Sequence, residues 1–117
     1  MCLGISTVLP SASEAEDCLF VNVWAPASAT PHSKLPVWVY IQGGGYTTNA
    51  NRNYNGSTVV ETSGQNIVFV NFNYRVGPYG FLASEKIRQN GDLNAGLLDQ
   101  QLLLRWVQAN IAKAGRF

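Results

Sequence analysis

Residues Asn66–Asn73, NIVFVNFN, are apolar at nearly every position and lack the alternation of a half-exposed strand. A strand of this kind must be covered on both faces, so the chain has to build layers around it. A second run, Leu35–Ile41 (LPVWVYI), is β-branched and aromatic and stops abruptly at Gly43-Gly44-Gly45. Residues Cys18–Trp24 form a third strand candidate, with Leu19, Val21 and Val23 on one face and Phe20, Asn22 and Trp24 on the other. The most helical stretch is Gly96–Ala114. Leu98, Leu102, Trp106 and Ala109 recur there at three- and four-residue steps, with Leu103, Val107 and Ile111 beside them. Asp99 is placed in its first turn and Lys113 in its last, both favourable to the helix dipole.

Loops join these segments. Ala25–Lys34 holds two prolines among small polar residues, and Thr47–Gly64 is polar with one helical turn expected near Val59-Val60-Glu61. Gly77, Pro78 and Gly80 punctuate the stretch after Tyr74, and residues 1–16 are Ser- and Ala-rich loop. Strand, loop, strand and helix in this order predict part of an α/β domain.

The chain has 117 residues, enough for one modest domain and too few for two. Hydrophobic residues make up 46% and charged ones 13%, so much of the surface is suited to being covered, by a partner or by the rest of a larger chain. A net charge of +1 offers no electrostatic basis for binding nucleic acid or an anionic membrane. No apolar run is long enough to cross a membrane, and the start, Met1-Cys2-Leu3-Gly4, has neither the basic nor the apolar region of a signal peptide. Two cysteines, Cys2 and Cys18, suit either a bridge in an oxidising compartment or two small buried thiols.

The triple glycine admits two readings. Glycines after a buried strand allow positive φ and close approach to backbone N–H groups, which suits a loop stabilising a developing oxyanion. A flexible turn is the plainer alternative. A phosphate loop is disfavoured, because neither G-x-G-x-x-G nor G-x-x-x-x-G-K-[ST] occurs.

The flanking words discriminate between them. EDCLFVNVW (Glu16–Trp24), PVWVYIQGGGY (Pro36–Tyr46), NYRVGPYGFL (Asn73–Leu82) and DLNAGLLDQQLLLRWVQANI (Asp92–Ile111) occur in that order. Together they closely resemble the type-B carboxylesterase/lipase family, which includes cholinesterases and fungal secreted lipases, and the wording is most like the fungal members. The resemblance spans nearly the whole chain. It implies an α/β-hydrolase fold, a mostly parallel sheet with helices on both faces, and the hydrolysis of small-molecule or lipid esters without cofactor or metal.

Residue by residue, the resemblance implies that the amides of Gly44 and Gly45 donate to the substrate oxyanion, that Gly43 supports the turn, and that Tyr46 lines the acyl region. Gln42 stands where many relatives carry His or Tyr. Cys2 and Cys18 match the family's first disulfide, and Arg75 and Asp99 match a salt bridge joining a strand end to a helix start. Glu16 matches an acid that pairs with an upstream arginine absent here.

The family's serine sits in a G-x-S-x-G elbow after the next strand, with an acid and a histidine much later. No such motif occurs; Gly4-Ile5-Ser6-Thr7-Val8 lacks the final glycine, and Ala112–Phe117 departs from the Phe-Gly-Gly-Asp-Pro turn expected there. The expectation is therefore an incomplete N-terminal part, residues 1–117, of one carboxylesterase type-B domain. It supplies the oxyanion hole but contains no catalytic triad residue. The alternative is a non-catalytic truncated or degenerate member, or a binding-only relative. His32, the sole histidine, lies in the Pro-rich connection and is expected to be a solvated loop residue. Glu61, Glu85 and Asp92 are expected on polar loop surface. Asn55-Gly56-Ser57 is an N-glycosylation sequon, meaningful if the chain is exported, as the family's secreted members are.

Overall fold

Strand β3 (Val68–Phe72) is buried at every position and lies at the centre of the sheet. The computed structural model describes residue 2 and residues 15–49 and 54–114. Among these, β1 (Val21–Trp24) pairs antiparallel with one edge of β3, and β2 (Val37–Ile41) pairs parallel with the other. The registers Val23↔Val70 and Val39↔Val70 align the three strands so that their valines share one face. The small sheet is thus mixed, with one parallel and one antiparallel pairing. A parallel pair needs a crossover, and α1 (Ser57–Thr62) lies in the one between β2 and β3.

Two layers cover β3. On one face Val68, Val70 and Phe72 meet Leu103, Val107 and Ile111, with Val21, Val23, Val37 and Val39 packed around them. Each such side chain contributes roughly 1.5–3 kcal/mol on burial. On the other face, Phe69 lies under the rings of Trp24, Trp38, Tyr40 and Tyr54, at centroid distances of 5.8, 6.0, 6.2 and 5.8 Å. Asn71 is buried there without penalty, because it donates to the Tyr54 carbonyl and accepts from the Asn22 amide. Gly56 passes close over this face. A Cβ on it would come within 2.4 Å of Phe69 and 2.7 Å of Trp24, so only glycine fits.

Helices α2 (Gly77–Phe81), α3 (Glu85–Asn90) and α4 (Ala95–Asn110) follow, and a 3₁₀ turn covers Ile111–Ala114. The strand expected from Cys18 enters the ladder only at Val21, because Cys18 is committed to a disulfide and the Phe20 N–H to the Asn73 side chain. Glu85 does not lie in a loop. It opens α3, which the Ser84 hydroxyl caps by accepting the Ile87 N–H at 3.2 Å. Glu61 likewise lies within α1, and both remain exposed.

In α4 the buried stripe is Gly96, Asp99, Leu103 and Val107. The neighbouring stripe stays open, with Leu102 59% exposed and Leu98 and Trp106 also exposed. The two stripes lie one residue, about 100°, apart on the helix. Asp99 is not in the first turn. Asn94 precedes the helix in a left-handed conformation, Asp99 falls in the second turn, and its carboxylate faces Arg75 rather than the helix dipole. Lys113 belongs to the 3₁₀ turn. Gly4–Val8, most of the Ser-rich start and Gly115–Phe117 lie outside the described residues.

Candidate functional site

At the end of β2 the chain turns through Gln42, Gly43, Gly44, Gly45 and Tyr46. Gly44 has φ +123°, and a Cβ there would lie 2.1 Å from the Thr48 carbonyl oxygen, so no other residue fits. Gly45 follows at φ +60°, and so does Tyr46, which is unusual for a residue with a side chain. Gly43 has open space around it and is not forced to be glycine.

The turn is held from within and from outside. The Gly44 carbonyl accepts the Thr47 N–H at 3.0 Å, the Thr48 N–H at 3.2 Å and the Thr47 hydroxyl at 2.8 Å. The buried Gln42 side chain donates to the Asn49 amide oxygen. From β3's continuation, the Tyr74 hydroxyl donates to the Gln42 carbonyl at 2.8 Å, and the Gly77 N–H donates to the Tyr46 carbonyl at 2.6 Å. Among the described residues, the N–H groups of Gly44 and Gly45 donate to no backbone or side-chain acceptor.

Beside Gly45 runs an open groove of ≈ 530 Å³ lined by Gly45, Tyr46, Thr47, Gly77, Pro78, Phe81, Leu82 and Ala83. The Tyr46 ring packs on Phe81 at 4.9 Å and edge-on to Tyr74 at 6.2 Å. No charged side chain lines this groove, which suits an apolar acyl or alkyl group. Burial, with the nearby Tyr46 phenol adding to it, raises the Tyr74 hydroxyl above its ordinary value, so it stays a protonated donor.

Two braces lie behind the loop. Asp99 accepts Arg75 Nε at 2.9 Å, a terminal guanidinium nitrogen at 2.7 Å and the Arg75 backbone N–H at 2.9 Å. Cys2 and Cys18 form a disulfide, and Asn73 Nδ2 donates to the Cys18 carbonyl at 2.6 Å. Glu16 is exposed and shares a cleft with Arg75, Cys2, Cys18 and Tyr79, but no ion pair to it exists among the described residues. His32 occupies an exposed turn between β1 and β2, and Asn55 is exposed just before α1. Among the described residues no group of three His, Cys, Asp or Glu side chains is arranged to hold a metal, and no helix is long and apolar enough to cross a membrane.

Sequence reasoning missed Tyr74 and Thr48 as parts of this site, and treated Gln42 as tolerated variation. One available signal was that a tyrosine directly after a doubly covered strand needs a partner for its hydroxyl.

A parallel strand pair that ends in a glycine-enforced turn, with a helix backing the sheet, is consistent with part of an α/β-hydrolase. The model of the carboxylesterase family matches residues 1–115, and the chain belongs to that family. It is similar to Lipase 1 of Geotrichum candidum, at 48% identity over 90% of this chain and 19% of that protein. It is also similar to Secreted lipase 1 of Botryotinia fuckeliana, at 47% over 86% of this chain and 18% of that protein. The crystal structure of EstA from Aspergillus niger superposes with a TM-score of 0.92 at 59% identity, over 99% of this chain and 22% of EstA. A PNB esterase superposes at 0.80 with 40% identity, over 99% of this chain and 24% of that one. The chain therefore spans about a fifth of the length of these relatives.

Proposed function

We propose that this chain is the part of a serine carboxylic-ester hydrolase that stabilises the oxyanion, through the amides of Gly44 and Gly45. When a serine hydroxyl attacks an ester carbonyl, negative charge develops on the carbonyl oxygen, and preorganised N–H donors lower the barrier by meeting that charge. A third donor would come from the residue after the serine. On this reading the serine, its histidine and its acid would come from outside these residues; no Gly-x-Ser-x-Gly occurs here and His32 sits on an exposed turn.

The observation that carries this reading is a pair of amides without an acceptor among the described residues, on a turn whose shape Gly44 enforces sterically. The apolar groove beside Gly45 supports a small-molecule or lipid ester as substrate. Tyr46 forms one wall of that groove, where the acyl group would lie. Relatives named as a secreted lipase and a secreted triacylglycerol lipase, together with the disulfide, support export of the protein that carries this chain.

The test is a chimaera in which residues 1–117 replace the matching segment of Aspergillus niger EstA. The chimaera is expected to hydrolyse p-nitrophenyl butyrate. Gly44→Ala keeps the N–H but must displace it, because its Cβ would meet the Thr48 carbonyl oxygen, and it is expected to lower kcat by about a hundredfold with little change in KM. A Gly44→Ala chimaera with undiminished kcat would sink the reading. The 117 residues alone are expected to show no turnover, and Gly44-dependent hydrolysis by them would contradict that.

A further inference from the structure

We infer that Tyr74 is a positioning residue that aims the Gly44 and Gly45 amides. This rests on the oxyanion reading above. The segment leaving β3 grips the segment leaving β2 on both sides of the glycines, with the Tyr74 hydroxyl on the Gln42 carbonyl at 2.8 Å and the Gly77 N–H on the Tyr46 carbonyl at 2.6 Å.

The Tyr74 contact matters because it falls just before the glycines. The Gln42 carbonyl belongs to the peptide plane that enters Gly43, and nothing lies within 4 Å of where a Cβ on Gly43 would stand, so no packing on that side of Gly43 holds the peptide. Glycine tolerates a wide range of φ and ψ, so loosening the hold on the Gln42 carbonyl lets the turn into Gly44 take other paths and shifts the aim of the Gly44 amide. Tyr74 fixes that plane from a rigid base, being 2% exposed and part of the core cluster with Phe72 and Val76. Its ring also meets Tyr46, whose left-handed backbone closes the turn. A tyrosine hydroxyl placed only to satisfy itself would leave the glycine turn unchanged on removal.

The EstA chimaera carrying Tyr74→Phe distinguishes the two roles, because the substitution deletes one hydroxyl and keeps the ring. The expected result is a roughly tenfold fall in kcat on p-nitrophenyl butyrate with KM within about twofold, the loss expected of one charge-stabilising contact weakened rather than removed. Affinity for a trifluoromethyl ketone inhibitor, which forms the tetrahedral oxyanion, is expected to fall in parallel, and deuterium uptake to rise in residues 43–48 alone. Unchanged kcat, inhibitor affinity and uptake would overturn the proposal.

Gly44→Ala separates this failure from that of the underlying reading. If Gly44→Ala loses kcat while Tyr74→Phe keeps it, the oxyanion hole stands and the clamp falls. If Gly44→Ala keeps kcat, the oxyanion reading itself has failed. Should Tyr74→Phe not fold, 3-fluorotyrosine at position 74 retains the hydroxyl with a more acidic proton. The alkaline limb of kcat is then expected to move to lower pH, and an unmoved limb would overturn the proposal.

Discussion

The carboxylate of Asp99 holds Arg75 by both its backbone and its side chain, accepting the N–H, Nε and a terminal nitrogen within 2.9 Å. The pair ties the exit of β3 to the second turn of α4, and the Arg75 carbonyl also lies 2.4 Å from where a Cβ on Gly96, in the first turn, would stand. The hydrogen bond to Asp99 is the main reason the Arg75 guanidinium is held above its ordinary value, with the carboxylate charge adding to it against desolvation.

Asp99→Asn is therefore expected to destabilise the fold by about 2–3 kcal/mol. That lies below the roughly 3–5 kcal/mol of a fully buried pair, because the Arg75 side chain keeps 41% exposure and can be solvated. Arg75→Lys keeps the charge and loses the fork geometry, and is expected to cost about 1–2 kcal/mol. Urea unfolding of the EstA chimaera reads both. An Asp99→Asn midpoint equal to the parent's would show that the brace contributes nothing.

Tyr74 carries a pH dependence of defined sign. Its phenol is raised above 10.0, so the folded state binds that proton more tightly than the unfolded chain. The stabilisation is present below pH 10 and is lost as pH rises above 10 toward the raised folded value. Arg75, also raised, titrates at still higher pH and leaves this window undisturbed. Unfolding midpoints measured at pH 8, 10 and 11 are expected to fall more steeply for the parent than for Tyr74→Phe. Parallel curves would rule this out.

The parts of the fold that announce themselves in sequence are those written as period and punctuation. Val68–Phe72 reads as doubly covered because no polar face interrupts it, and the glycine triplet marks the end of β2. Helix α3 escaped because all its residues but one are exposed, so no apolar stripe betrays it, and only Ser84 before Glu85 hints at a cap. In α4 two adjacent apolar stripes compete, and which one meets the sheet depends on where Asn94 starts the helix. At the site, the glycines were legible as residue types. The grip of Tyr74 on Gln42 was not, since it joins residues 32 apart through a backbone carbonyl that no side-chain pattern records.

The disulfide is coupled to the sheet through Asn73, whose amide oxygen accepts the Phe20 N–H at 2.6 Å while its nitrogen reaches the Cys18 carbonyl. Replacing both Cys2 and Cys18 by serine is expected to lower stability by about 3 kcal/mol, as for a short closed loop. Because Asn73 adjoins Tyr74, hydrogen exchange is expected to rise in residues 18–21 and 73–75 and to leave α1 unaffected. Uniform loss of protection, or none, would contradict this coupling.

Asn55-Gly56-Ser57 is the only N-x-[ST] sequence in the chain, and we propose that Asn55 is glycosylated on export. The Asn55 side-chain oxygen accepts the Ser57 N–H at 2.9 Å, so the amide nitrogen that would carry the glycan is left unbonded among the described residues. Asn55 is exposed, whereas Gly56 is pressed against Phe69 and Trp24, so a glycan at this position extends into solvent without disturbing the sheet. Exported from yeast behind a heterologous leader, the chain is expected to lose mass on treatment with peptide-N-glycosidase. Asn55→Gln and Ser57→Ala should each abolish the shift. Gly56→Ala preserves the sequon and is expected to destabilise the fold by about 1–3 kcal/mol, through overpacking against the two rings. An exported parent chain that carries no glycan at Asn55 would refute the assignment.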